Sequence, residues 1–424
     1  MKLQPFQLER WLLQPCTYDL ASAGITKLKL RDVAPALDPD MILNYGMTNG
    51  SERIRTQIAA LYKGVSARNV LVTSGTAEAN LLAIYRLLEP GDEVVAIVPT
   101  YMQCIGLAES LGAVVKRCRL DEENGYRPDL KALERLLSRK TKLVLCVNPN
   151  NPTGTVYTEA EMRRIGALAE SVGAWFLCDG ALRLLELDGE RAAAPVEWYA
   201  KGVATGSLSK VGITGIRIGW LVGPEDLVEG CWADKDYTTL CHSGIGEHLA
   251  TLALEPANFS RYLQRAQAVI REHRAILADW IASHRTLVSW VPPAGGHTAF
   301  VRYHLDIDSE ALARQLLAEA GVLVSPGDHF ESPHHLRVRH SCDRDTLVKG
   351  LEAFGGFLER TAPGFFTKNP GRIRARRTGC PSRAPRDGSG VEMAQGRLIP
   401  PGSAVTIASV KPAFVASTFA TNAG

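Results

Sequence analysis

The chain has 424 residues, 46% of them hydrophobic and 22% charged, with a formal net charge of +3. That is enough chain for two domains and a sizeable core, and the balance is that of an ordinary globular protein. So small a charge gives no reason to expect a nucleic-acid partner, no apolar run is long enough to span a bilayer, and nine scattered cysteines without a CxxC pair exclude a disulfide framework and a zinc cluster.

The N-terminal stretch "MKLQPFQLERWLLQP" carries Glu9 and Arg10 where a signal peptide needs an apolar segment, so a cytoplasmic protein is expected. From about residue 66 to 225, apolar β-type runs alternate with amphipathic helical patterns. The runs are "NVLVTSG", "EVVAIVP", "AVVKRCRL", "KLVLCVNP", "WFLCDG", "VATGSLS" and "IRIGWLVG". Most are continuous rather than alternating, which marks strands buried on both faces of a mostly parallel sheet. "AEANLLAIYRLL" and "TEAEMRRIGALAESVG" read as covering helices. The predicted class is α/β, a mostly parallel sheet in a three-layer α/β/α arrangement, joined to a smaller α+β domain.

A long helix is expected over residues 258–284. After it, "LVSWVPPAGGHTAFVRYH", "GVLVSPG" and "HHLRVRHS" read as short strands around the helices "SEALARQLLAEAG" and "RDTLVKGLEAFGGFLER". From Thr361 the chain becomes rich in Arg, Pro, Gly and Ser with no hydrophobic period, the signature of disorder. The expected organisation is an arm over 1–45 packed on the small domain, a large domain over 46–285, the small domain over 286–360 and a basic, disordered tail over 361–424.

Ligands of open α/β sheets sit at the carboxyl ends of the strands. The first strand ends in Ser74-Gly75-Thr76-Ala77 and runs into a helix, an arrangement suited to a phosphate or to a plain N-cap. The second places Tyr101 at the mouth, to stack on a flat ligand or on its neighbours. The fourth ends in "NPNNPTG", residues 148–154, a rigid turn that holds an Asn amide. The fifth ends in Asp179, a partly buried carboxylate that needs a positive partner. "SLSKVGITGIRIGW" then offers Ser207, Ser209 and Lys210, an amine in apolar surroundings that is costly to bury charged, and Arg217, a bidentate fork for phosphate. One ligand suits them all: a phosphate, a flat ring with a basic nitrogen, a phenolic oxygen and an aldehyde for the lysine. That ligand is pyridoxal 5′-phosphate.

"NPNNPTG", the Asp after a buried strand and "SLSK…GIRIGW" stand in one order over a chain that, from about residue 15 to 355, resembles the class I/II aminotransferases, the fold-type I pyridoxal-phosphate enzymes. The resemblance implies that Lys210 links to the cofactor and moves the proton, and that Asp179 keeps the ring nitrogen protonated. It implies that Asn151 bonds the ring hydroxyl, Tyr101 stacks on the ring, and Gly75, Thr76, Ala77, Ser207, Ser209 and Arg217 hold the phosphate. Tyr45, in "LNYGMTNG", matches a tyrosine that reaches the neighbouring subunit's phosphate, which implies a homodimer. Arg337 matches the arginine that binds the substrate carboxylate, with Arg339 its local rival. Two departures stand out: Leu182 occupies the place of a tyrosine commonly found three positions after the Asp, and the Lys210-to-Arg217 spacing is one residue short.

"ERWLLQPCTYDLASAG" is similar to the start of a subgroup acting on arginine-type amino acids, including capreomycidine synthase and the pyridoxal-phosphate-dependent arginine oxidases. Asp19 then meets a guanidinium, or else salt-bridges locally. His297, in "PAGGHTAF", contacts substrate or faces solvent. The expected activity is transamination of an amino acid with a 2-oxo acid. The alternatives are oxidation or cyclisation of an arginine-type substrate, and an inactive cofactor-binding relative. Nucleic acid, membrane and metal are not expected.

Overall fold

The computed structural model describes residues 2–189 and 191–368. Seven strands form the main sheet, in spatial order Val70–Thr73, Gly219–Val222, Gly202–Ser207, Trp175–Asp179, Thr141–Val147, Glu93–Val98 and Val114–Arg119. Each falls on one of the apolar runs read from the sequence. The inner strands are almost wholly buried, and Val114–Arg119, at the edge, is the least buried of the seven. From Gly202–Ser207 to that edge the pairing is parallel. Gly219–Val222 runs antiparallel to both its neighbours. The reason lies in the connection. Parallel neighbours need a long crossover, usually helical, whereas only a short 3-10 turn, Ser209–Val211, separates Ser207 from Gly219.

Helices cover the sheet. Thr76–Leu87 follows directly on the first strand, and Glu159–Ser171 opens with a reciprocal capping box between Thr158 and Glu161. The long helix spans Pro256–Ser283, with proline in its first turn where no backbone donor is lost. A second, antiparallel sheet has the order Ser325–Pro326, His335–Arg339, Thr298–Tyr303 and Val288–Trp290. The helices Ser309–Ala320 and Arg344–Lys368 share one hydrophobic core with it.

The last helix runs past the point where a tail was expected to begin. The Thr361 hydroxyl donates to the Phe357 carbonyl one turn back, and Ala362 is buried in the same core as Phe354 and Phe357. That core contact carries the helix beyond the visible end of the hydrophobic pattern. The remainder of the expected tail, 369–424, lies outside the described residues. Among the described residues, no helix is long and apolar enough to cross a membrane.

The N-terminal arm is built into the fold. Tyr18–Asp19 pairs in parallel with Val322–Leu323. Trp11 is buried, and its indole N–H donates to the Val324 carbonyl at 2.7 Å. Leu8, one turn earlier, is buried beside Phe330 in the core that backs the main sheet. Trp11→Ala removes both a large buried ring and a buried hydrogen bond, and we expect it to lower stability by about 3–5 kcal/mol in urea unfolding. An unchanged midpoint would show that the arm is not part of the core.

Candidate active site

The carboxyl ends of the parallel strands open on a cavity of about 290 Å³. Of the residues singled out in the sequence, Thr76, Ala77, Tyr101, Asn151, Asp179, Ser207, Ser209, Lys210, Arg217, His297 and Arg337 line it. For Thr76, Tyr101, Asn151, Asp179 and Lys210 the convergence follows from the topology, since each ends or follows a strand of the main sheet running in the same direction. Arg217, His297 and Arg337 reach the cavity from the loop before Gly219–Val222 and from the second sheet.

Asp179 is the last residue of its strand and is 3% exposed. One carboxylate oxygen accepts from the Asn80 amide at 2.8 Å and the other from the Ala181 backbone N–H at 2.9 Å. Thr205 in turn donates to the Asn80 carbonyl oxygen at 2.8 Å, fixing the amide. These donors are neutral, and burial pushes the carboxyl group above its ordinary value. A cationic ring nitrogen set against it would meet a buried charge that lacks a counter-ion. Lys210 follows the last residue of the adjacent strand by three positions. Its amine faces the cavity, shielded from bulk water, and donates to the Ala23 carbonyl at 3.0 Å. Burial, and after it the Arg337 charge, push its pKa down to about 8. A lysine of that kind has a substantial neutral, nucleophilic fraction near neutrality.

Beside these lies an anion cradle. Gly75 precedes the twelve-residue helix Thr76–Leu87 with φ +89°, in the region that favours glycine. A Cβ there would stand 2.4 Å from Nη2 of Arg217, so the guanidinium packs directly on the turn. A Cβ on Gly219 would stand 2.4 Å from the Gly75 carbonyl carbon, so the neighbouring strand also requires glycine. The Thr76 hydroxyl is buried with no hydrogen-bond partner. Helix dipole, free N–H groups, an unpartnered hydroxyl and an arginine at one point can hold a phosphate.

Across the cavity Arg337 is fully buried. Its Nη1 donates to Asn151 Oδ1 at 3.1 Å, and its Nη2 donates to the Ala21 carbonyl at 2.8 Å and the Ser325 hydroxyl at 3.1 Å. Nε has no partner, and burial lowers the guanidinium pKa to about 10. The contact to Arg337 turns the oxygen of Asn151 away and leaves its amide N–H groups for a ligand. His297 is 1% exposed and neither ring nitrogen has a partner. Burial, then the charge of Lys210, hold it well below the ordinary imidazole value, so it is neutral. The solvent-facing reading of His297 is thereby corrected: the turn around Gly295 packs under Val156 and Pro149 and carries the ring inward.

Asp19 is corrected as well. It does not line the cavity. Its carboxylate accepts from the backbone N–H groups of Ala21 and Ser22 and forms an ion pair with Arg339 at 3.1 Å. These contacts tie the arm to the second sheet and pair Asp19 with Arg339, and neither residue lines the cavity, whereas Arg337 does. Tyr45 lies on an exposed loop and does not line this chain's own cavity.

The structure also adds residues that the sequence did not single out. Asn80 stands one helical turn past Thr76 on the same helix, so i, i+4 spacing was a usable signal. Gln103 bridges Asn80 and the Ala77 carbonyl. Glu9 comes from the five-residue helix Gln7–Trp11 and accepts from the Tyr101 hydroxyl at 2.8 Å. Nothing local in the sequence ties residue 9 to residue 101.

A family model described as aminotransferase class I and II matches residues 17–354. Capreomycidine synthase of Streptomyces vinaceus is 35% identical over 84% of this chain and 94% of that protein. A PLP-dependent aminotransferase from Streptococcus suis 89-1591 is 36% identical, with a TM-score of 0.80 over 85% of this chain and 99% of that one. A PLP-dependent cyclase, OrfR, is 28% identical with a TM-score of 0.78, over 85% and 98% respectively.

The low Lys210 pKa has a direct readout. In cofactor-free protein, an amine-selective reagent followed by peptide mapping should label Lys210 with a midpoint near pH 8, below the ordinary lysine value of 10.5. Arg337→Gln removes a repelling positive charge, so the midpoint should rise. Folded protein binds this proton less tightly than the unfolded chain. The sign is therefore a gain in stability as pH climbs from about 8 toward 10.5. A midpoint at the ordinary value in both proteins would contradict the described environment.

Proposed function

The chain belongs to the aminotransferase class I and II family and takes pyridoxal 5′-phosphate as its cofactor, and we propose that it transfers the amino group of an α-amino acid to a 2-oxo acid through Lys210. The observation that carries this reading is the placement of Lys210, Asp179 and Arg337 around one cavity. Among the described residues none of the three forms an ion pair, so each has its charge, or its amine, directed at a ligand.

The donor set fits the cofactor. The unpartnered Thr76 hydroxyl, the Gly75 turn and Arg217 suit its phosphate, with Ala77, Ser207 and Ser209 around them. Asp179 suits a protonated ring nitrogen, the Asn151 amide suits the ring hydroxyl, and Tyr101 offers a ring face. Once bound, the cofactor supplies an electron sink for the pair left at Cα. Lys210 then holds the cofactor and carries the proton from Cα. Arg337 orients the substrate by its carboxylate, and neutral His297 offers an uncharged hydrogen bond without competing for that carboxylate.

A second reading is favoured by Leu182. This buried apolar side chain lines the cavity and lies against the turn that carries His297, since a Cβ on Gly296 would stand 3.2 Å from its Cδ1. An apolar wall gives the ring oxygen no donor there, and the relatives at 35% and 28% identity are named as a synthase of capreomycidine and a cyclase. On this reading the protein cyclises or oxidises an arginine-type amino acid.

The homodimer reading is supported by surface chemistry. Ile42, Leu43, Tyr45 and Met47 are exposed on one loop, and Tyr237 and Leu240 on another. The two loops touch where the Cys241 thiol meets the Tyr45 carbonyl. A patch of this apolar character marks an interaction surface, and a second copy is the partner the family resemblance implies.

Protein loaded with pyridoxal phosphate should show a visible absorbance band that Lys210→Ala abolishes, with turnover falling by about 10²–10⁴-fold or more. Without oxygen, an amino acid should release its 2-oxo acid in amounts matching the protein. Release of a cyclic product, or consumption of oxygen, would select the second reading. A Lys210-independent band would overturn both. In sedimentation, the protein should run as a dimer, and Leu43→Asp with Tyr237→Asp should shift it to monomer.

A further inference from the structure

We propose that Glu78 is a positioning residue for the phosphate cradle, and that the exposed pair Thr238 and Thr239 sets cofactor affinity through it. The inference rests on the family's cofactor and is independent of which reaction that cofactor serves.

The cradle is a turn, and a turn binds well only if its N–H groups already point at the ligand. The hinge is Gly75, whose φ of +89° lies where only glycine is at ease. Three side-chain contacts hold the turn among the described residues. The Thr73 hydroxyl donates to the Gly75 carbonyl at 3.0 Å, Arg217 Nη2 donates to the Ser74 carbonyl at 3.4 Å, and the Ser74 backbone N–H donates to Glu78 Oε2 at 2.6 Å. Arg217 is itself offered to the phosphate, so its hold on Ser74 competes with its hold on the ligand. Glu78 has no such conflict, since it does not line the cavity.

Glu78 is buried, and its other oxygen is engaged from the opposite side. Oε1 accepts from the hydroxyls of Thr238 and Thr239, each at 2.7 Å. Both threonines are exposed, lie outside the cavity and belong to the turn that follows the helix Glu225–Lys235. That turn is pinned in its own right. The fully buried Lys235 donates from Nζ to the Leu240 carbonyl at 2.9 Å and to the Thr48 carbonyl at 2.8 Å. A chain of contacts therefore runs from a pinned surface turn, through one buried carboxylate, to the N–H that precedes the glycine hinge. The residue type fits this role. A carboxylate in the first turn of this helix repels the phosphate it serves, so attraction to the ligand is not the reason for it. Its two oxygens accept from three donors at once, which an amide with one acceptor oxygen does not do.

Helix capping alone is the competing account. It makes Glu78 matter to stability and leaves the two threonines without effect on the cofactor. Cofactor-free protein is dialysed to equilibrium against pyridoxal phosphate, and the bound phosphate is observed by phosphorus NMR. Thr238→Val with Thr239→Val should weaken binding about 10-fold, the scale of one hydrogen bond to a charged group, and should move or broaden the phosphorus resonance. Thr238→Ser with Thr239→Ser keeps both hydroxyls and should bind as wild type does. Glu78→Ala should weaken binding at least as much as the valine variant; if it does not fold, the exposed threonine pair carries the test. The contacts lie within one chain, so the ratio of valine variant to wild type should not change with protein concentration. A valine variant equal to wild type, an equal loss in the serine variant, or a loss that disappears at high protein concentration would each overturn the inference and leave the cofactor assignment standing. A wild type that binds no pyridoxal phosphate would overturn that assignment and the inference with it.

Discussion

Two opposite charges, Asp179 and Arg337, are buried around one cavity with only neutral hydrogen-bond partners. Burying an unpaired charge is expensive, and neutral partners recover only part of the lost hydration. Such an arrangement persists where a ligand completes it, and the ligand's own charges are dictated in reverse: a cation over Asp179 and an anion at Arg337. Much of the surrounding structure keeps these groups in position. Asn80 and Thr205 hold the carboxylate, and Ala21 and Ser325 hold the guanidinium. The same burial lowers the Lys210 pKa to about 8 and enlarges its neutral, nucleophilic fraction relative to an ordinary lysine.

The arm of the first twenty-odd residues is part of this electrostatic arrangement. It supplies the Ala21 carbonyl to Arg337, the Ala23 carbonyl to Lys210 and the Glu9 carboxylate to Tyr101. It is anchored from behind by Leu8 and Trp11 and by strand pairing with Val322–Leu323. The side chains that bury the arm therefore also aim its polar groups.

Several features were legible in sequence for identifiable reasons. Continuous apolar runs can only be strands buried on both faces or short core helices, and the β-branched residues and flanking turns favoured strands; all seven runs became strands of one sheet. The motif residues lay at strand ends, so one rule brought most of them together. The antiparallel direction of Gly219–Val222 is not legible in its apolar run, because strand direction depends on the connection, and the stretch after Ser207 is too short for a helical crossover. Two readings of Asp19 stayed open in the sequence because a carboxylate two positions into a strand looks alike whether its partner is a ligand or Arg339; the structure pairs it with Arg339. The continuation of the last helix past Thr361 depended on burial of Ala362, which composition does not display.

By itself, the sequence determined the sheet, the cofactor chemistry and the lysine, since each rests on residues near one another in the chain or on periodicity within one element. Tertiary structure alone decided which charges face the cavity. Arg337 and Arg339 share a strand and a face, and only the Asp19 ion pair separates their tasks. Glu9 reaches Tyr101 across ninety-two positions, and Arg337 reaches Ala21 across three hundred and sixteen. Contacts at such separation are set by how whole elements pack, and packing is a property of the folded chain that no local pattern encodes.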